Sequence, residues 1–150
     1  MEIGIADAEN AKTMITVASQ NAPPEEVEYY GFDTFGEDED SHMKRVRQKL
    51  EKTSCKFRLF KGDSLKTLAK VVKILSKMDL IFIDGGHYYP TVNSDWENSK
   101  SLMHNKTAVF FHNYNSGVKQ VVDNIPREQY QIEIIDPPSD PPTAHVKKKT

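Results

Sequence analysis

Two hydrophobic periods alternate along this chain from end to end, and that alternation restricts the fold more than any other feature. Short apolar or β-branched runs occur at Ile3–Ile5, Val27–Phe32, Phe57–Phe60, Leu80–Ile83, Ala108–Phe111 and Ile132–Ile135. Between them, apolar or small residues recur at helical spacing. The sets are Ala11, Met14, Ile15 and Ala18; Met43, Val46 and Leu50; and Leu65, Leu68, Val72 and Leu75. Val92, Trp96, Ser99 and Met103, then Val118, Val121, Val122 and Ile125, complete the series. Near-continuous apolar strands are those buried on both faces, and a parallel pair needs a long crossover, usually a helix. The pattern predicts a doubly wound parallel sheet covered by helices on both sides. Pro90 suits a first helical turn, and Ser116 suits an N-cap.

The rhythm breaks near the end. QIEIIDPPSDPPTAHVKKKT holds a strand, a proline-rich connection and a strand-like TAHV with no helix between them. Strands joined so briefly run antiparallel. The expected fold is therefore α/β, six parallel strands and one antiparallel, in a single domain over residues 1–150. A chain of this length buries about two-thirds of its unfolded surface. GEDEDSHMKR and DPPSDPP read as surface loops.

Twenty basic residues stand against twenty-two acidic ones, a net charge of −2. That balance gives no electrostatic case for a nucleic-acid partner. The single cysteine, Cys55, excludes an internal disulfide framework and points to a reducing cytoplasm. No apolar run approaches the roughly 18 residues that cross a bilayer, and no leader precedes EIGIAD, so neither a membrane nor export is expected.

Ligands of open α/β sheets bind outside the carboxyl ends of the strands. The residues at the carboxyl end of each apolar run are therefore the test for function. Strand one runs into Gly4 and Asp7, strand two into Asp33-Thr34-Phe35, and strand three into Asp63-Ser64. Strand four gives Asp84-Gly85-Gly86-His87, and strand five His112-Asn113-Tyr114. One polar tip is an ordinary turn or helix cap. Five tips on one sheet edge are a ligand cleft. Asp33 has the position of an acid that accepts from ribose hydroxyls. Asp63 and Ser64 either meet an adenine edge or cap the helix that begins near Leu65. Gly4 permits close backbone approach, but the loop is not G-x-G-x-x-G, which disfavours ordinary dinucleotide binding.

MEIGIADAENAKTMI, YYGFDTFGED, FKGDSLKTL, LIFIDGGHYYPTVNSDW, AVFFHNY and GVKQVVDNI together resemble class I S-adenosylmethionine-dependent methyltransferases. They look most like the small-molecule O-methyltransferase branch with the macrocin-type enzymes. The resemblance covers nearly the whole chain and is most specific at GFDTF and at FIDGGH-Y with its downstream D-W. It implies a seven-stranded sheet whose last strand is antiparallel. Glu2 and Gly4 would then lie along the methionine end of S-adenosylmethionine. Asp33, with Thr34 and Phe35 beside it, would take the ribose, and Asp63 and Ser64 the adenine. Asp84 would stand near the amino-acid portion or the reacting centre, while His87 and His112 would face a small-molecule substrate. Methyl transfer to a hydroxyl needs alignment and a base, and an imidazole suits the second task.

The chain departs from that family in three places. Ala6 and Ala8 stand where relatives often have glycine, so the turn is narrowed. Relatives that use magnesium commonly carry two acids after strand five, whereas here Asp84, His112 and Asn113 form a weak version of that set; a softer metal such as zinc could accept Asp84 and His112 together with His87, though three scattered ligands are not a spacing motif. Family members also carry a helical segment before strand one. Its absence implies a shortened chain, an open site and an apolar face that a second subunit, in a homodimer, would cover. Two alternatives stand beside the enzyme: a degenerate binding or interaction module, and a metal-assisted hydrolase using Asp84, His87 and His112.

Overall fold

In a computed structural model, residues 1–36 and 41–149 are described. Seven strands build one sheet: β1 Glu2–Ile3, β2 Glu28–Asp33, β3 Lys56–Lys61, β4 Met78–Ile83, β5 Met103–Phe111, β6 Tyr130–Ile135 and β7 Thr143–Lys148. Their order is β3-β2-β1-β4-β5-β7-β6. The pairs β1–β2, β1–β4, β2–β3 and β4–β5 are parallel, and β7 is antiparallel to both β5 and β6. Strand order reverses between β1 and β4, which is the switch point where such sheets open a crevice. The doubly wound sheet expected from the alternating periods is the observed fold.

Five helices cover the sheet: α1 Glu9–Ala18, α2 Ser41–Glu51, α3 Ser64–Val71, α4 Tyr89–Ser99 and α5 Ser116–Asp123. One buried cluster joins α3, α4 and α5 to the sheet through Leu68, Val92, Trp96, Val121, Ile81 and Phe111. Trp96 is its centre, with ring centroids 5.7 Å from Phe111 and 5.3 Å from Tyr130. Fully burying a large apolar side chain contributes about 1.5–3 kcal/mol, so this cluster dominates the core. The other face carries a smaller cluster, Ile15, Tyr29, Phe35, Val46 and Leu50 under α1 and α2.

Several element ends differ from the periodicity. β1 stops at Ile3 because Gly4 turns the backbone to φ +83°. α3 ends at Val71, with Leu75 beyond it still packed on the core. α4 ends at Ser99; a 3-10 turn, Lys100–Leu102, follows, and Met103 opens β5 instead of closing the helix. Met103 lies four residues after Ser99, a spacing that periodicity alone assigns to the helix. Pro90 lies in the first turn of α4 as expected. Ser116 is not the cap of α5: Asn115, in extended backbone, occupies that position and Ser116 is the first helical residue. Of the acidic loop, residues 37–40 lie outside the described residues, and from Ser41 the chain is already α2. Among the described residues no helix is long and apolar enough to cross a membrane.

Candidate functional site

Backbone bonds lock the strand tips into one row beyond the ladder itself. Gly4 N donates to Phe32 O (2.8 Å), Asp84 N to Ile3 O (2.8 Å), His112 N to Ile83 O (3.0 Å) and Gly62 N to Asp33 O (2.9 Å). Gly4 is obligatory here. A Cβ on it would lie 2.1 Å from the Asp84 carbonyl oxygen, and its φ is in the left-handed region.

The loop after β1 keeps a glycine-type path without the glycines. Ala6 (φ +45°) and Ala8 (φ +64°) both adopt left-handed backbone. The Asp33 carboxylate holds the loop in place. Its Oδ2 accepts from Ile5 N (2.7 Å) and Ala6 N (3.2 Å), and its Oδ1 accepts from Phe35 N (2.7 Å). Three of about four lone-pair sites are thereby used. Thr34 is exposed beside it, whereas the Phe35 ring is fully buried and edge-on to His42.

Glu2 is buried beneath this loop. Tyr29 Oη donates to Glu2 Oε2, and Asn10 Nδ2 donates to Oε1 at 2.8 Å. Burial pushes the Glu2 pKa up against those two bonds, and the Tyr29 hydroxyl is pushed up as well, first by burial and then by the Glu2 charge. At the tip of β3, Asp63 caps α3, accepting from Leu65 N at 3.0 Å, and Ser64 begins the helix. The cap is one of the two readings its sequence position allowed.

Asp84, His87, His112 and Asn113 come together at the tips of β4 and β5. His112 Nδ1–H donates to Asp84 Oδ1 at 3.0 Å, which fixes the tautomer and leaves Nε2 with its lone pair. Asn113, at φ +56°, donates from Nδ2 to His87 Nε2 at 3.3 Å. When protonated, that same His87 nitrogen has Asp84 Oδ1 at 3.5 Å. His112 is four-fifths buried and His87 nearly half exposed.

The metal expectation at Asp84, His112 and Asn113 finds no support. Among the described residues no group of three or more His, Cys, Asp or Glu is set to hold a metal ion.

Three contributors escaped the sequence reading. Asp140, in the proline-rich loop before β7, brings Oδ1 to 3.8 Å from His112 Nε2. Tyr114 N donates to Pro142 O (2.7 Å), tying that loop to the tip of β5. Gly117 lets α5 touch the DGGH loop: a Cβ there would stand 2.4 Å from His87 O and 2.5 Å from Tyr89 N. A glycine in the first turn of a helix was the available signal. Asp95 of α4 is fully buried, with its carboxylate 3.8 Å from where a Gly85 Cβ would be. Neither of its oxygens, nor the Ser99 hydroxyl, receives a hydrogen bond of ordinary geometry. Burial pushes Asp95 up from 3.8 to about 6; the nearby Ser64 hydroxyl opposes the shift and the Asp63 charge adds to it.

A groove of about 640 Å³ lies at the opposite, amino edge of the sheet, between α1 and the start of β4, away from these groups. The row of polar strand tips is the candidate site; the groove's lining is mostly apolar.

Comparison with solved structures shows the same architecture. The calicheamicin TDP-rhamnose 3'-O-methyltransferase CalS11 superposes with a TM-score of 0.80 at 15% identity, covering 98% of this chain and 69% of that one. An O-methyltransferase from Bacillus cereus, solved with SAH, gives 0.78 at 13% identity, covering 99% and 72%. TomG from Streptomyces achromogenes, an O-methyltransferase of tomaymycin synthesis solved with SAM, gives 0.76 at 12% identity, again covering 99% and 72%. No curated protein matches the chain by sequence. These identities establish the class I methyltransferase fold and leave the macrocin-type branch undistinguished. A family model described as a methyltransferase domain matches residues 1–114, from β1 through the His112-Asn113-Tyr114 tip, and the chain belongs to that family.

Proposed function

We propose that the protein is an S-adenosylmethionine-dependent methyltransferase that methylates a hydroxyl group of a small molecule. The observation that carries this reading is the Asp84–His112 pair at the strand tips, with His112 Nε2 left as a base. The cofactor fits the residues present. The left-handed positions Gly4, Ala6 and Ala8, the remaining lone pair of Asp33 and the second carboxylate oxygen of Asp63 would hold it at the switch point, where such sheets bind their ligands. Glu2 supports the loop from beneath. Bound there, S-adenosylmethionine supplies an electrophilic methyl group on sulfur.

The chain's own residues align the acceptor and manage its proton. His112 Nε2 takes the hydroxyl proton, and the imidazolium then lies between Asp84 on Nδ1 and Asp140 beyond Nε2. Both carboxylates stabilise that charge. His87, more exposed, lines the acceptor side. Expressed as a rate, removal of a positioned base costs about 10²–10⁴-fold. His112→Gln should therefore lower kcat by that order while calorimetric titration with S-adenosylhomocysteine stays unchanged. Wild-type turnover retained in the variant would remove His112 from the mechanism. Failure of the wild-type chain to bind either S-adenosyl compound at millimolar concentration would remove the methyltransferase reading itself.

A non-catalytic binding module is the second reading, favoured by the commitment of three Asp33 bonds to backbone. It is distinguished by ligand binding without turnover on any hydroxyl acceptor. The hydrolase reading lacks the ligand cluster it requires among the described residues.

A further inference from the structure

The loop from Gly4 to Ala8 is held from two sides. Its N–H groups are taken up within the strand tips: Ile5 N and Ala6 N donate to Asp33, and Ala8 N donates to Ile5 O at 2.9 Å. Its carbonyls are taken up by α2. His42 Nε2 donates to Ala6 O at 2.9 Å, and Lys49 Nζ donates to Asp7 O at 2.7 Å. A carbonyl only accepts, so the first bond places the imidazole proton on Nε2. Consecutive peptide groups are thereby pinned one after another: Ile5–Ala6 by Asp33, Ala6–Asp7 by His42 and Asp7–Ala8 by Lys49.

Both donors are themselves fixed. His42 and Lys49 stand seven residues apart, two turns of α2, with the buried Val46 between them on the same side. The His42 ring meets the Phe35 ring edge-on at 5.6 Å, and a fifth of its side chain is exposed. Lys49 also donates to Glu9 Oε1 at 2.8 Å, while Lys12 holds the other Glu9 oxygen at 3.1 Å. These bonds, that of Lys49 foremost, keep the Glu9 carboxyl below its ordinary range. Glu9 opens α1, so α2 is fastened both to the loop and to the helix that follows it.

The alanines explain why the fastening matters. Ala6 and Ala8 hold left-handed backbone, which is uphill for any residue with a Cβ. Such a segment relaxes toward extended or right-handed backbone unless its peptide groups are held. Asp33 holds the first peptide group and leaves the next two to other donors. We infer that His42 and Lys49 are positioning residues, which from α2 keep the Gly4–Ala8 loop in the shape that receives S-adenosylmethionine. The inference rests on the methyltransferase reading above. Both side chains act through the loop's backbone, and a loop fixed before binding has less entropy to lose when ligand arrives.

Two measurements on the full chain test this. Hydrogen exchange without ligand reads the loop itself. In Lys49→Met, which keeps the side chain's length and removes its donor, the Ala6 and Ala8 amides should exchange about tenfold faster, the equivalent of one hydrogen bond to a charged group. Calorimetric titration with S-adenosylhomocysteine reads the loop's use. Lys49→Met, and His42→Phe with its ring kept against Phe35, should each raise Kd by about tenfold on the same reasoning. Lys49→Arg retains a charged donor and should bind and exchange as the wild type does. Lys12→Met removes the other lysine on Glu9 without touching the loop and should change neither reading. Circular dichroism checks that each variant folds. Unchanged affinity in Lys49→Met and His42→Phe, an equal loss in Lys12→Met, or no recovery in Lys49→Arg would overturn the proposal and leave the methyltransferase reading standing. A wild type that binds neither S-adenosyl compound at millimolar concentration would remove that reading and the cofactor role with it, even where exchange shows α2 holding the loop.

Discussion

Ala6 and Ala8 show what a single residue type conceals. Read as letters they break a glycine turn, but the backbone makes that turn regardless, at φ +45° and +64°. An L-residue in left-handed backbone costs about 1–2 kcal/mol, which the Asp33 carboxylate offsets by accepting three N–H groups. The two alanines differ in burial: Ala8 is fully buried and its methyl packs under α1, whereas Ala6 is exposed. Ala6→Gly should therefore raise stability by about 0.5–1 kcal/mol in denaturant melts, the strain relieved exceeding the entropy lost. Ala8→Gly should gain less, because its packed methyl is lost. Asp95 is the other residue whose environment overrides its type. Its pKa is higher folded (about 6) than ordinary (3.8), so the native state holds the proton more tightly. Its contribution is fully present below pH 4, is lost as pH rises to about 6, and is flat above, a span of about 3 kcal/mol. Glu2, also raised by burial, slopes the same way. Asp95→Asn should flatten the wild-type fall in stability between pH 4 and 6 and be the more stable protein at pH 7. Equal slopes in urea melts of the two proteins would show that Asp95 is not the group responsible.

At the scale of elements, helices and strands were legible as types and less so at their ends. Leu65, Leu68 and Val72 announce α3 through their spacing, and the Asp63 cap through its chemistry. Met103 fits the α4 period, yet it starts β5, because a strand and a helix both accept one buried residue at that spacing. Packing between elements left no trace in the periodicity. Gly117 is where α5 meets the loop carrying His87, at a distance that excludes any side chain. Gly117→Ala must push α5 from that loop; overpacking of this kind costs about 1–3 kcal/mol. Thermal melts should record the loss, and because His87 and Asn113 are displaced together, substrate turnover should fall further than stability alone accounts for. Activity unchanged at a temperature where the variant is fully folded would mean that the α5 contact does not position the site.

For the whole molecule, the proposed cofactor contact at Asp33 would couple ligand to fold, because the same carboxylate holds the loop after β1. A ligand bound only by the native state stabilises it by about 2.7 kcal/mol at one hundred times its Kd, equivalent to roughly 5–10 °C in Tm for a chain of this size. S-adenosylhomocysteine should produce that shift in the wild type and not in Asp33→Ala. Because the carboxylate also anchors Ile5, Ala6 and Phe35, Asp33→Ala should melt lower even without ligand. A full ligand shift in that variant would assign the ribose contact to another group.

The alternation of two hydrophobic periods determined, without coordinates, that the chain forms a doubly wound sheet with one antiparallel strand. Burial on two faces and the length of a parallel crossover allow little else. The same reading brought Asp33, Asp63, Asp84 and His112 to one edge, since every parallel strand ends on the same side. Tertiary structure alone decided how those groups are used. It turned Asp33 inward onto backbone, tied His112 Nδ1 to Asp84 and brought Asp140 from a distant loop to within 3.8 Å of the other nitrogen. Hydrogen bonds and close approaches depend on directions and distances between segments far apart in the chain, and a periodicity within each segment carries neither.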